Sequence, residues 1–311
     1  MKSSRETVSI IIPTYYRNDA LEQAIESAKS QTYSNLEIIV VDDSGEGFAR
    51  SVVAQDDEIT YVAKATNEGP VAAWNTGIER SSGAYIQILD DDDTLHPTKI
   101  EKGVSVFKRS PDVGVVHCGF RWDFGVEERP DPKMKGDVLE QVLTLDTSPC
   151  ITSTMLIRGE ILRRAHPLPQ YEAAADDMLK IELAQVTEFD YVDEALVYRG
   201  TSDDQISTSM KPIRSSKRLL QEYDELYRKN ETVKENAIAK ISEREGYARL
   251  TDRAWSAKAS KCFWKSISYS STISFKRIIL FFLSLGGAPT IKIANKLASW
   301  AKKNAQNISL N

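Results

Sequence analysis

Four consecutive aspartates, Asp90 to Asp93, follow the apolar run Tyr85-Ile86-Gln87-Ile88-Leu89. Adjacent carboxylates repel one another. At the end of a buried strand they cost free energy unless a divalent cation or another positive charge shares the site. A metal held there could in turn hold a phosphate-bearing substrate. The same run also reads as a solvated acidic turn, with Thr94 and Pro97 helping the chain to bend.

The elements that would carry these acids favour a ligand site. Val8 to Pro13 (VSIIIP) is a continuous apolar, β-branched run, as expected of a strand buried on both faces of a parallel sheet. Asn18 or Asp19 can cap a helix in which Leu21, Ala24, Ile25 and Ala28 keep the spacing of an amphipathic face. Leu36 to Val41 reads as a second buried strand ending in Asp42-Asp43-Ser44-Gly45. A shorter strand, Ile59 to Val62, precedes Thr66-Asn67-Glu68-Gly69-Pro70, and Pro70 suits the first turn of a helix carrying Val71, Trp74 and Ile78 on one side.

This alternation specifies an α/β fold, a Rossmann-like, mainly parallel sheet flanked by helices, which binds ligands at the carboxyl ends of its strands. Pro13-Thr14-Tyr15, Asp42-Asp43 and Asp90 to Asp93 all fall on that edge. A nucleotide site follows, yet the chain has neither G-x-G-x-x-G nor G-x-x-x-x-G-K-[ST], which removes the main support for dinucleotide and P-loop readings. A metal on the aspartates would neutralise phosphate instead.

At 311 residues, with 41% hydrophobic and 27% charged residues, the chain can bury a full core in one large or two small domains. Its three cysteines, Cys118, Cys150 and Cys262, lie far apart without a C-x-x-C pair, which suggests neither a disulfide framework nor a zinc site and fits a reducing compartment. The short polar start, Met1 to Thr7, does not read as a signal peptide.

VSIIIPTYYR, SQTYSNLEIIVVDDSG, TNEGPVAAWNTGI and ILDDDDTLHPTKI, in this order, resemble the motifs of a family-2 glycosyltransferase of the GT-A fold. The similarity runs from about Val8 to about Ser207, and its specificity lies in four motifs standing in register. The resemblance implies a nucleotide-diphosphate sugar donor, a divalent metal (Mg2+ or Mn2+) and inverting transfer to an acceptor hydroxyl. It places Pro13, Thr14 and Tyr15 beside the nucleoside, Asp42 or Asp43 facing its base or ribose, and Asn67, Gly69 and Pro70 in the loop that closes on the nucleotide. Asp90 to Asp92 match the D-x-D element, with Asp92 as the metal ligand and Asp90 or Asp91 nearer the ribose.

Ala173 to Ala184 is similar to the family's helix that carries the general base. Aligning Leu183-Ala184 puts the base at Asp176; reading Asp176-Asp177 as the acidic pair moves it to Asp177, and the family's preceding Glu is here Ala175. Two acids stabilising a helix N-terminus would give the same pattern. Val197 to Ser207 resembles the family's Tyr-Arg segment, so Arg199 would pair with phosphate or form a structural salt bridge. Many members have a His where this chain has Thr201. Cys150-Ile151-Thr152-Ser153-Thr154 falls at an acceptor-side loop. A sugar nucleotidyltransferase, or a non-catalytic nucleotide-sugar or glycan-binding module, are the other classes compatible with metal-binding acids on such a sheet.

Residues 1–210 are thus expected to form the catalytic domain, 211–252 a charged helical extension and 253–311 a basic amphipathic tail. Leu219, Leu220, Tyr223, Leu226 and Tyr227 keep helical spacing in the extension. The tail holds ten Lys or Arg and no Asp or Glu; with −5 for the whole chain, residues 1–252 carry −15. Its longest apolar run, Ile278 to Leu285, is shorter than the roughly 20 residues that span a bilayer. Basic and aromatic, the tail reads as an interfacial anchor on an anionic leaflet, or as a helical subdomain. The acidic body argues against nucleic acid. A cytoplasmic enzyme peripheral on the cytoplasmic face of the cell membrane, acting on a lipid-linked or cell-envelope glycan, would fit such an anchor.

Overall fold

The computed structural model describes residues 6–54, 56–200, 210–251, 255–271, 275–287 and 289–290. The chain divides into two compact units: Met1–Leu139 with Thr147–Ser202, and Glu140–Asp146 with Asp203–Asn311.

The first unit is built on β1 (Val8–Thr14), whose Ile10, Ile11 and Ile12 are fully buried. Each such side chain removed from water contributes roughly 1.5–3 kcal/mol, which explains why the strand lies in the middle of the sheet. α1 (Asn18–Lys29) buries Leu21, Ala24, Ile25 and Ala28, the four positions its periodicity selects. Its N-cap is Arg17, not Asn18 or Asp19, because Arg17 turns away to reach the acidic run and the helix begins one residue later without a side-chain cap. β2 (Leu36–Asp42), α2 (Arg50–Val53), β3 (Ile59–Ala63), α3 (Pro70–Arg80) and β4 (Tyr85–Ile88) follow, with Pro70 in the first turn of its helix.

β5 (Asp93–Leu95) starts inside the aspartate run, and α4 (Lys99–Arg109), β6 (Val113–Trp122), β7 (Glu127–Glu128) and α5 (Leu139–Leu143) come next. A 3-10 turn at Thr152–Thr154 leads into β8 (Leu156–Arg158), α6 (Gly159–Ala165), α7 (Ala175–Ala184) and β9 (Glu188–Arg199). The strands form one sheet in the order β3-β2-β1-β4-β8-β6-β9-β5, with β7 on β6. β3, β2, β1 and β4 are parallel, so the ends of β1, β2 and β4 share one edge. β8 runs antiparallel to β4 and β6, and β5 pairs antiparallel with β9, placing Asp93 opposite Arg199.

The second unit contains α8 (Lys211–Glu222), α9 (Asp224–Tyr227), α10 (Glu231–Thr251), α11 (Ala257–Ser268) and α12 (Phe275–Leu285). The expected helix through Leu219 and Tyr227 is thus broken at Tyr223, the C-cap of α8. Tyr227 is buried and donates to the Leu143 carbonyl at 2.8 Å. Leu250, Ala259, Phe263 and Leu280 form a small core among α10, α11 and α12. Among the described residues no helix is long and apolar enough to cross a membrane.

Candidate active site

The end of β1 clamps the aspartate run. Thr14 donates its hydroxyl to Asp91 Oδ2 at 2.8 Å, and Arg17 Nη1 reaches Asp91 Oδ1 at 3.0 Å and Asp92 Oδ2 at 3.1 Å. Between them Tyr16 takes φ 55°, a left-handed conformation that costs a non-glycine residue about 1–3 kcal/mol. The bend leaves Tyr15 and Tyr16 exposed at the rim, with Tyr16 packed on Phe48 at 4.9 Å. Pro13 stands one residue before the end of the strand, opposite Val41.

The two aspartates after β2 do different things. Asp42 accepts from the Ser44 amide at 2.9 Å, the Ala49 amide at 2.8 Å and the Tyr61 hydroxyl at 2.8 Å. Burial alone would raise its carboxyl; the amides of Ala49 and Ser44 and the hydroxyls more than offset this, so the net shift is downward. Its carboxylate therefore organises its own loop. Asp43 instead accepts from the Glu68 amide at 3.0 Å and the Gly69 amide at 2.7 Å, fastening the Asn67-Gly69-Pro70 loop to β2. Gly69 can serve there because its φ is 91°, and the Asn67 side chain accepts from the same amide at 3.0 Å.

In the acidic run, burial pushes the Asp90 carboxyl well up, its three acidic neighbours push the same way, and Arg199 opposes them. Burial raises Asp91 against the pull of Arg17. Burial also raises Asp93 to about 7, with Ser153 and Arg199 opposing and Asp92 reinforcing. Asp92, at 23% side-chain exposure, is more open than Asp91 at 7%. Its carbonyl accepts from the Gly200 amide at 3.2 Å, an approach so close that a Cβ on Gly200 would collide with it. Arg199 lies over the Trp122 ring at 4.7 Å and the Phe120 ring at 5.4 Å.

Among the described residues no three His, Cys, Asp or Glu side chains converge as a protein-only metal cage. The donor set nevertheless fits Mg2+ or Mn2+. Such ions are commonly held by one or two carboxylates and completed by substrate phosphates and water. Crowded carboxyls whose ionisation is resisted gain most from a shared cation.

At α7 the chain enters the helix through Ala174, again left-handed at φ 54°. Asp176 and Asp177 both lie in the first turn, but Asp176 keeps 33% side-chain exposure while Asp177 keeps 3%. Buried Lys180 stands 3.3 Å from an oxygen of each. The sequence reading assigned Lys180 and Arg17 no role, although Lys180 lies three and four positions from the two acids, a spacing that brings helical side chains together. No sequence signal marks Ser153 either: its hydroxyl accepts from the Asp90 amide at 3.1 Å and hydrogen-bonds Asp93. Thr201 lies outside the described residues.

A sheet of this order, with acids gathered at the ends of its parallel strands, is that of the GT-A class. The chain belongs to glycosyl transferase family 2, whose model matches residues 9–165. It is 31% identical over 173 residues to an uncharacterized glycosyltransferase of Nostoc sp., covering 52% of this chain and 53% of that protein. It is 39% identical over 116 residues to one of Rickettsia prowazekii, covering 36% of each. The chain thus spans about half, or less, of the length of these relatives.

Among solved structures it resembles a Pyrobaculum calidifontis mannosyltransferase in complex with GDP-Man and Mn2+, at TM-score 0.58 and 17% identity, covering 98% of this chain and 88% of that one. It also resembles S. aureus TarS in complex with UDP-GlcNAc, at TM-score 0.56 and 13% identity, covering 90% and 80%. At these identities the likeness is one of fold.

Proposed function

We propose that this chain is an inverting glycosyltransferase. It moves a sugar from a nucleotide-diphosphate donor to a hydroxyl of a glycan acceptor, with Mg2+ or Mn2+ on Asp92 and Asp176 as general base. The observation that carries this reading is a contrast within one unit. Asp92 is the more open of the two acids bound by Arg17, while Asp176 is the open member of a pair whose other acid is buried.

Pro13, Thr14 and Tyr15 border the nucleoside, and Asp43 holds the Asn67-Gly69-Pro70 loop against it. Asp90 and Asp91 line the ribose side. Asp92 would hold a divalent ion, which would supply charge stabilisation for the departing diphosphate. Asp176 accepts the acceptor's proton as the new bond forms at the anomeric carbon and the bond to the diphosphate breaks. Arg199, fixed over its two rings, offers positive charge beside the acidic turn. GDP-Man and UDP-GlcNAc, bound by the two structural neighbours, head the list of donors to supply. Incubation with a panel of nucleotide sugars, Mn2+ and candidate glycan acceptors should release nucleoside diphosphate. Consumption of nucleoside triphosphate with pyrophosphate release would instead make the chain a nucleotidyltransferase, and binding without turnover a binding module.

We further propose that residues 1–210 carry this chemistry, 211–252 extend it, and 253–311 attach the protein to the cytoplasmic face of the cell membrane, within reach of a lipid-linked acceptor. Phe275, Ile279, Phe282 and Leu285 form an exposed stripe along α12, Trp264 is exposed on α11, and Lys258, Lys261 and Lys265 are exposed beside it. The charge is smaller than the acid-free tail suggests: Glu243 of α10 binds Lys276 at 2.9 Å and Arg277 at 3.0 Å. The apolar stripe adds buried area to the attraction of the remaining basic residues. Flotation with anionic liposomes should retain the chain and release Phe275→Glu/Phe282→Glu; equal recovery of both refutes the attachment.

A further inference from the structure

Lys180 is the most deeply buried cation near the acids of α7, with 1% of its side chain exposed. Its Nζ lies 2.5 Å from Thr147 Oγ1, 3.0 Å from the Cys150 carbonyl, and 3.3 Å from oxygens of Asp176 and Asp177. A buried ammonium needs this many acceptors, since leaving it without a counter-charge is costly. One cation among two carboxylates leaves one unit of negative charge over. The buried Asp177 serves as counter-ion, and the surplus charge rests on Asp176, which is open.

The other two acceptors belong to the segment Thr147–Thr154, which is fastened at its far end to the acidic turn. Ser153 accepts from the Asp90 amide at 3.1 Å and bonds Asp93, and its carbonyl accepts from Gln87 Nε2 at 2.9 Å. Between the two ends, Thr154 Oγ1 accepts from the Ile151 amide at 3.0 Å and donates to the Ile151 carbonyl at 2.8 Å, closing the segment on itself. The base helix and the acidic turn are thus tied through one short strap of chain.

We propose that Lys180 is a positioning residue for the transfer: balanced by Asp177, it holds the Asp176 carboxylate toward the acceptor and, through the Thr147–Ser153 strap, in fixed relation to the Asp90–Asp93 turn. This rests on the glycosyltransferase reading for the role of Asp176. Lys180 gives up no proton. Asp176 takes the acceptor's proton, the acceptor oxygen bonds the anomeric carbon, and the electron pair of the broken bond leaves with the diphosphate. Among the titratable groups facing the cation are Asp176 and Asp177 on its own helix, Cys150 from the strap and His117 from β6. Burial keeps the last two neutral near pH 7, pushing the Cys150 thiol up to about 12 and the His117 imidazole down to about 4.

The test is the full chain with Lys180→Met/Asp177→Leu, which removes the buried pair together and spares the fold an uncompensated charge. In this variant kcat should fall about 10- to 100-fold. KM for the donor should stay within about twofold, since no donor contact is touched. Lys180→Arg should recover part of kcat. An unchanged kcat overturns the proposal; so does a loss as complete as that of Asp176→Asn with donor binding intact, which would make Asp177 the base.

A second readout needs no turnover. Amide hydrogen exchange of the Thr147–Ser153 strap and of the first turn of α7, read by peptide mass, should rise in the double variant, and unchanged exchange overturns the tie. If exchange rises while the unaltered chain transfers no sugar from any donor supplied, the glycosyltransferase reading fails and the tie through Lys180 stands.

Discussion

The acidic turn after β4 and the acidic pair on α7 resolve the same electrostatic problem in opposite ways. At Asp90–Asp93, four carboxyls face Arg17 and Arg199, and three of the four are pushed above the usual carboxylate range, burial being the first cause in each. At Asp176–Asp177, two carboxyls share one lysine on their own helix, with hydroxyl and carbonyl acceptors completing its shell. The first cluster is short of positive charge by about the amount that one divalent ion brings. The second is short by a single charge, carried on the open carboxylate of Asp176. A cluster two charges short suits capture of a divalent cation, while one short by a single open carboxylate suits a proton acceptor.

The largest effect that could break this contrast is at the second cluster. Asp176→Asn keeps shape and polarity but removes the proton acceptor, so transfer should fall by about 10³-fold or more. Metal-dependent nucleotide binding, measured by calorimetry, should persist. Unchanged turnover would make the two clusters functionally alike and sink the assignment. Next in size is Asp92→Ala, for which transfer should fall by about 10²-fold and nucleoside-diphosphate affinity should lose its dependence on Mn2+. If affinity still tracks Mn2+ as before, the ion sits elsewhere.

Most of the donor edge was legible because its signals are local. β1, β2 and β4 are mainly apolar, β-branched runs, α1 and α3 show their buried faces in spacing, and Pro70 marks a helix start. What the sequence hid is what long-range pairing decides. β5 is three residues beginning with a buried aspartate, and it exists because Val197–Arg199, about a hundred residues on, pairs with it. No local signal marks Arg17, whose guanidinium pairs with Asp91 and Asp92 more than seventy residues on. Glu243 lies outside the acid-free tail yet pairs with two of its cations. Lys180 was half visible: its spacing to Asp176 and Asp177 stands in the sequence, its bonds to Thr147 and Cys150 do not.

The clusters should also differ in how pH reaches them. Asp93 has its carboxyl raised from an ordinary 3.8 to about 7 in the fold. Between these values the unfolded chain has released the proton and the folded chain retains it. The contribution of this group to stability is therefore full below about pH 4 and lost progressively as pH rises toward about 7. Denaturant midpoints of the metal-free protein should fall over that window, and Asp93→Asn should flatten the fall. A slope untouched by the substitution would place the titration elsewhere.

Arg17→Gln should give the smallest effect, and it separates a structural tie from a charge deficit. The guanidinium is partly exposed and bonds Asp91 and Asp92 at 3.0 and 3.1 Å, so its loss should cost about 1–2 kcal/mol in the metal-free protein after allowance for solvent screening. Glutamine leaves Asp91 its hydrogen bond from Thr14 but removes one of the two cations facing the turn. If the turn is short of charge, saturating Mn2+ with nucleoside diphosphate should stabilise the variant more than the unaltered chain, because the ion meets a larger deficit. Lys180→Met/Asp177→Leu should show no such gain, since its deficit is unchanged. Equal stabilisation of Arg17→Gln and the unaltered chain would reduce Arg17 to a packing contact and erase the electrostatic distinction between the clusters.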